Sequence, residues 1–143
     1  MRPSDRPVPR RWLLLPAAVL PLVLSGLAAG CSSSKPAYCA DAANLKTSVS
    51  NLGNVDVATN GLGSLQTALN SVTSNANKFA SDAKSAFPSQ TTALKNSLSS
   101  LETAIKSAQG QPPVTAAAAV VPPVAQVKNS ASALESAVSG NCQ

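Results

Sequence analysis

Apolar residues recur three and four positions apart in four successive stretches of this chain, a spacing that favours helices over strands. The first row is Ala42, Leu45, Val49 and Leu52, and the second runs Leu62, Leu65, Leu69, Val72, Ala76, Phe79, Ala83 and Ala86. The third is Leu94, Leu98, Leu101, Ile105 and Ala108, and the fourth Val124, Val127, Ala131, Leu134 and Val138. Each row falls on one face of a helix, with Ser, Thr, Asn, Gln and Lys covering the rest. Stop signals separate the rows. Gly53 follows the first, and Pro88 follows the second, with Ser89 placed to cap the next helix. Gly110 closes the third just before Pro112-Pro113, and Gly140 closes the fourth. Residues 114–121, VTAAAAVV, fit a short helix kinked at Pro122-Pro123 or a loop packed on the bundle. The expected fold class is all-α, with three long helices and a Pro-interrupted fourth.

The beginning of the chain has a different character. Arg2, Arg6, Arg10 and Arg11 give it positive charge, and Trp12 to Leu24 form an apolar stretch broken by Pro16 and Pro21. Small residues then lead to a cysteine in Leu27-Ala28-Ala29-Gly30-Cys31. This order reads as an export signal over residues 1–30. The final five residues resemble a bacterial lipobox, although Leu27 stands four residues before the cysteine and Ala28 takes the usual leucine position. The resemblance implies a diacylglyceryl thioether on Cys31 and cleavage between Gly30 and Cys31. Two acyl chains anchor a protein stably where one does not. Residues 31–37 would then be a short tether holding a domain of residues 38–143 at the outer face of the plasma membrane. An uncleaved transmembrane helix over residues 12–29 and an ordinary secreted protein are the alternatives. Arg10-Arg11 leaves both the general secretory and the twin-arginine export routes open.

Three cysteines are an odd number for an exported chain. With Cys31 taken by lipid, Cys39 and Cys142 remain, and outside the cytoplasm pairing is the default. They bracket nearly the whole domain. Closing a loop of about 100 residues contributes ~4–5 kcal/mol in the chain-entropy model. The pair also bears on topology. Short connections make successive helices antiparallel. The first and last ends of a three-helix bundle would then lie ~25–30 Å apart, whereas a disulfide spans ~4.4–6.8 Å between Cα atoms. A Cys39–Cys142 bond therefore supports an antiparallel up-and-down four-helix bundle. Three helices with an extended C-terminal return satisfy it too.

Composition narrows the chemistry. From residue 31 onward Leu, Ile, Val and Phe number 22 of 113, and alanine adds 21, so the core is thin and benefits from a covalent staple. The same stretch has no His, Arg, Trp or Met. Its seven lysines are scattered against five acids, which argues against nucleic acid as a partner. Two distant cysteines and no histidine argue against a metal, and nothing calls for a cofactor. The acids Asp41, Asp56, Asp82, Glu102 and Glu135 are dispersed, with no spacing that forces two together. The nearest Ser-x-x-Lys match, Ser81-Asp82-Ala83-Lys84, reads as helix surface, and Gly61-Leu62-Gly63 lacks the rest of a phosphate loop. An enzyme is not expected. Phe79 and Phe87 fit core packing better than a ligand pocket, and Tyr38 fits a cover over the bundle end.

The stretch Asn51–Leu62 reads as a loop that exposes Asn54, Asp56, Thr59 and Asn60 around Val55 and Val57. These four are candidate partner contacts, or else belong to a well-capped helix connection. The run Tyr38-Cys39-Ala40-Asp41, with Leu45 to Leu52, Asn54 to Val57 and the terminal Cys142, is similar to small actinobacterial surface lipoproteins and secreted proteins of unknown function. That resemblance implies a helical envelope domain and supplies no catalytic residue. The expected function is a membrane-anchored, non-enzymatic interaction or structural module that faces an envelope protein or a wall polymer. The alternative is a carrier or sensor of an apolar ligand held between the helices. A pocket of at least ~300 Å³ would favour the carrier and a solid core the module.

Overall fold

The structure, a computed structural model, describes residues 35–143. The expected export signal, with Gly30 and Cys31, and the first part of the tether lie outside the described residues. The described residues hold four helices and no strand: α1 (Ala37–Gly53), α2 (Val57–Asp82), α3 (Pro88–Ala108) and α4 (Pro113–Ser139). They pack as an all-helical bundle.

The apolar rows form its core. Leu65, Leu69, Val72, Ala76 and Phe79 of α2 are buried, as are Leu94, Leu98, Leu101, Ile105 and Ala108 of α3. Leu45, Val49 and Leu52 join them from α1, and Val127, Leu134 and Val138 from α4. Each large side chain so buried stabilises the fold by ~1.5–3 kcal/mol relative to exposure, against the entropy of ordering the chain. α1 packs most closely on α2, and α3 on α4. α2 and α4 also touch across the bundle, while α1 and α3 do not meet.

Both ends of the domain are tied together. Cys39 and Cys142 are disulfide-bonded, with their Cα atoms 5.6 Å apart. Beside them Tyr38 packs edge-on against Phe79 and Phe87, at centroid distances of 6.1 Å and 5.5 Å. Edge-to-face contact of this kind uses the positive ring edge and adds to area burial. Lys46 of α1 and Glu135 of α4 form an ion pair across the same pair of helices.

One alternative left open is decided, and two local expectations are corrected. Residues 114–121 are helical, and Ala116 and Val120 carry the buried row of α4 back toward its start. Nor do the prolines interrupt α4, which continues through Pro122 and Pro123. Their rings deprive the carbonyls of Ala118 and Ala119 of N–H partners. Both alanines are exposed, so water can supply the missing bonds. Thirdly, α2 stops at Asp82, well short of Pro88. Lys84 and Ser85 take left-handed backbone angles (φ 43° and 67°), which turn the chain and leave Ala86 exposed. The N-cap of α3 is then Phe87 with Pro88 in the first turn, where its missing N–H costs nothing, so Ser89 is not the cap.

Candidate functional site

The connection between α1 and α2 is shorter than expected, only Asn54–Asp56. Asn54 closes α1, its backbone N–H donating to the carbonyls of Ser50 (3.1 Å) and Asn51 (3.2 Å). Asp56 opens α2 as its N-cap. The Thr59 N–H donates to Asp56 Oδ1 (3.1 Å) and the Thr59 hydroxyl to Oδ2 (2.9 Å). The Thr59 hydroxyl and then its N–H hold the Asp56 carboxyl below the usual carboxylate range. One turn later Gly61 leaves helical geometry at φ 75°, ψ 170°. Asn54, Asp56, Thr59 and Asn60 are all exposed, while Val57 is buried and Val55 half-buried. Asp56 and Thr59 thus serve the helix start, which is the capped-connection reading of this stretch.

Between this connection and α4 lies a groove of about 360 Å³. Leu52, Val57, Leu65 and Val120 form an apolar floor, and Val121 and Val124 a wall. Asp56 and Lys128 stand at its rim. Val121 is 63% exposed and Val114, two turns earlier, 77% exposed, so this end of α4 offers valine to solvent. Two further hollows, of about 380 Å³ over the disulfide and about 420 Å³ beside residues 57–62, are more open to solvent. The second adjoins the groove and is walled mainly by exposed residues such as Thr59, Asn60 and Gln111. The bundle centre is filled, with Phe79, Val72, Leu101 and Val127 at 0% exposure. The solid core and the pocket posed as alternatives therefore coexist, the latter on the surface.

At the opposite end, two acids that the sequence holds 41 positions apart meet one lysine. Lys78 Nζ lies 2.9 Å from Asp41 Oδ1 and 2.8 Å from Asp82 Oδ2. No sequence spacing forces these two acids together, and it is the packing of α1 on α2 that brings both to Lys78. Asp41 is buried, and its Oδ2 has no hydrogen-bond partner. Lys78, followed by the Asp41 carboxyl, holds Asp82 below the usual carboxylate range, and the two acids together raise Lys78. Such a cluster pins α1 to the end of α2. Neither the groove nor the two further hollows include Asp41, Lys78 or Asp82.

Ser81-Asp82-Ala83-Lys84 stays at the helix end, with Lys84 in the left-handed turn. Phe79 and Phe87 pack in the core and line none of these hollows. Among the described residues no group of three or more His, Cys, Asp and Glu is placed to hold a metal ion. No helix among them is long and apolar enough to cross a membrane. No protein-family model, curated protein or solved structure matches this chain.

The sequence reading missed the groove. Its signal was the pairing of Gly53 with the second valine-rich half of the 114–128 stretch, where apolar residues exceed what one buried face needs.

Proposed function

We propose that this chain is a membrane-anchored, non-enzymatic lipoprotein of the bacterial cell envelope that acts as an interaction module, of the kind found among small actinobacterial surface lipoproteins. The single observation carrying this reading is the Cys39–Cys142 bond. It accounts for two of three cysteines in a manner suited to an oxidising compartment, and leaves Cys31 for a diacylglyceryl anchor.

Read as antiparallel and up-and-down, the bundle gains support from its ends. Tyr38 in the first turn of α1 meets Phe79 near the end of α2, and Cys39 meets Cys142 beyond the end of α4. The tether then enters at the disulfide end. The groove lies by the last residue of α1, a 17-residue helix, and so ~25 Å farther along. A partner protein or wall polymer would be met by the end of the bundle farthest from Cys39. The exposed valines, the groove and the exposed Asn54, Thr59 and Asn60 gather there.

Fatty-acid labelling and protease treatment of a host that processes lipoproteins test the reading. Wild-type protein takes up labelled fatty acid and is cut by protease added to intact spheroplasts, while Cys31→Ala takes up no label. Equal labelling of Cys31→Ala, or resistance to the added protease, overturns it.

The groove itself favours a second reading, a carrier or sensor of an apolar ligand. Its volume of about 360 Å³ falls at the lower end of the ~300–1,000 Å³ range of small-molecule sites.

A further inference from the structure

We propose that the groove between the α1–α2 connection and α4 binds a small anionic amphiphile, with one alkyl chain against Val55, Val121 and Val124 and a carboxylate or phosphate head on Lys128 Nζ. The proposal rests on the carrier reading.

Size sets the first limit. A hollow of about 360 Å³ suits one medium-length chain and is too small for a two-chain lipid. Leu52, Leu65 and Val120 beneath it are at most 2% exposed and already belong to the core, so the apolar surface open to a ligand is that of half-buried Val55 and Val124 and exposed Val121. Covering those valines returns free energy in proportion to the apolar area removed from water. Val121 stands over the groove largely uncovered, so the wall has apolar surface that nothing in the described chain shields.

Charge selects the head group. Lys46, Lys78 and Lys106 each have a carboxylate within 4.0 Å, whereas Lys128 has none among the described residues. The Lys128 stem lies across the last residue of α1: a Cβ built on Gly53 would meet its Cδ at 3.2 Å and its Nζ at 3.5 Å. Glycine at position 53 therefore lets the stem lie flat and keeps the ammonium at the groove. Asp56, the acid at the rim, receives both Thr59 donors and faces the positive end of the α2 dipole, which offsets its charge. The free charge at the mouth is the ammonium.

Calorimetric titration of the full mature, disulfide-bonded chain with decanoate, decyl phosphate, decanol and decyltrimethylammonium, each below its micellar concentration, tests the proposal. Decanoate and decyl phosphate are expected to bind more tightly than decanol, and the ammonium more weakly. Lys128→Gln should weaken the two anions by about fivefold, the ceiling for an exposed ion pair, and leave decanol unchanged. Asp56→Asn, which keeps a capping side chain, should tighten the anions. Should decanol match decanoate and Lys128→Gln change neither, the anionic proposal falls while the carrier reading stands. Should no decyl compound bind, both fall, and the interaction module is the reading left.

Discussion

Gly61 holds a backbone geometry, φ 75° and ψ 170°, that only glycine adopts without strain. Nothing lies within 4 Å of where its Cβ would stand, so space is not the obstacle. Gly61→Ala should therefore destabilise the fold by ~1–3 kcal/mol through the backbone alone. Gly63, two residues on, is helical and equally open. There alanine should stabilise by ~0.5–1 kcal/mol, since glycine loses more freedom in a helix interior. Urea denaturation of the two variants checks both signs, and equal effects would contradict this account of the kink. The Asn51–Leu62 stretch shows how far such residues were legible. Its composition announced a break between helices, but turn-rich sequence does not say how much of it a capped first turn will absorb. Asp41 and Asp82 were illegible for another reason. They sit on different helices, and only tertiary packing brings them to Lys78. A partial signal existed: Asp41 stands four before Leu45 and in register with Ser48 and Leu52, all of them buried.

At the scale of helices, spacing located the second and third rows almost residue for residue, because a 3–4 repeat has one helical solution. Boundaries were harder to read. The left-handed turn at Lys84 and Ser85 has no glycine to mark it, so Pro88 looked like the stop for α2. α4 shows the converse, since Pro122 and Pro123 signal a break that does not occur. Pro122 is exposed and Pro123 half-buried, which places the lost hydrogen bonds toward water. The bonds are still missing, and Val121 and Pro122 each precede a proline, which disfavours helical angles. Replacing both prolines by alanine should stabilise the domain, by at most about 3 kcal/mol per proline. Chemical denaturation measures it, and an unchanged midpoint would mean that α4 is bent enough at this point to have relieved the cost.

For the whole molecule, the disulfide joins residues 103 positions apart and closes the domain on itself. Paired Cys39→Ser and Cys142→Ser substitutions should cost about 4 kcal/mol by the chain-entropy estimate. For a chain with only 22 Leu, Ile, Val and Phe residues from Cys31 onward, not all of them buried, that is a major share of the stability. Urea midpoints with and without reductant read it directly. The pH profile should be flat between about pH 5 and pH 9, because no histidine titrates there. Asp56 and Asp82 lie below their ordinary 3.8 in the folded chain, so their contribution is present above that value and lost as pH falls through the folded ones. Lys78 lies above its ordinary 10.5, so its contribution is present below that value and lost as pH rises through the folded one. Melting temperature against pH should therefore fall only at the two extremes. The four-helix arrangement was legible because two cysteines and a parity argument constrain it. The end groove was not, because it arises where α4 outruns its single buried row. The assignment of the three thiols is what the rest depends on, and intact-mass measurement of the protein extracted from membranes, before and after reduction and alkylation, tests it most directly. The account predicts a chain beginning at Cys31 that carries a diacylglyceryl group, takes up no alkylating agent unless reduced, and then takes up two equivalents. A chain retaining its first thirty residues with three freely alkylated cysteines would contradict it.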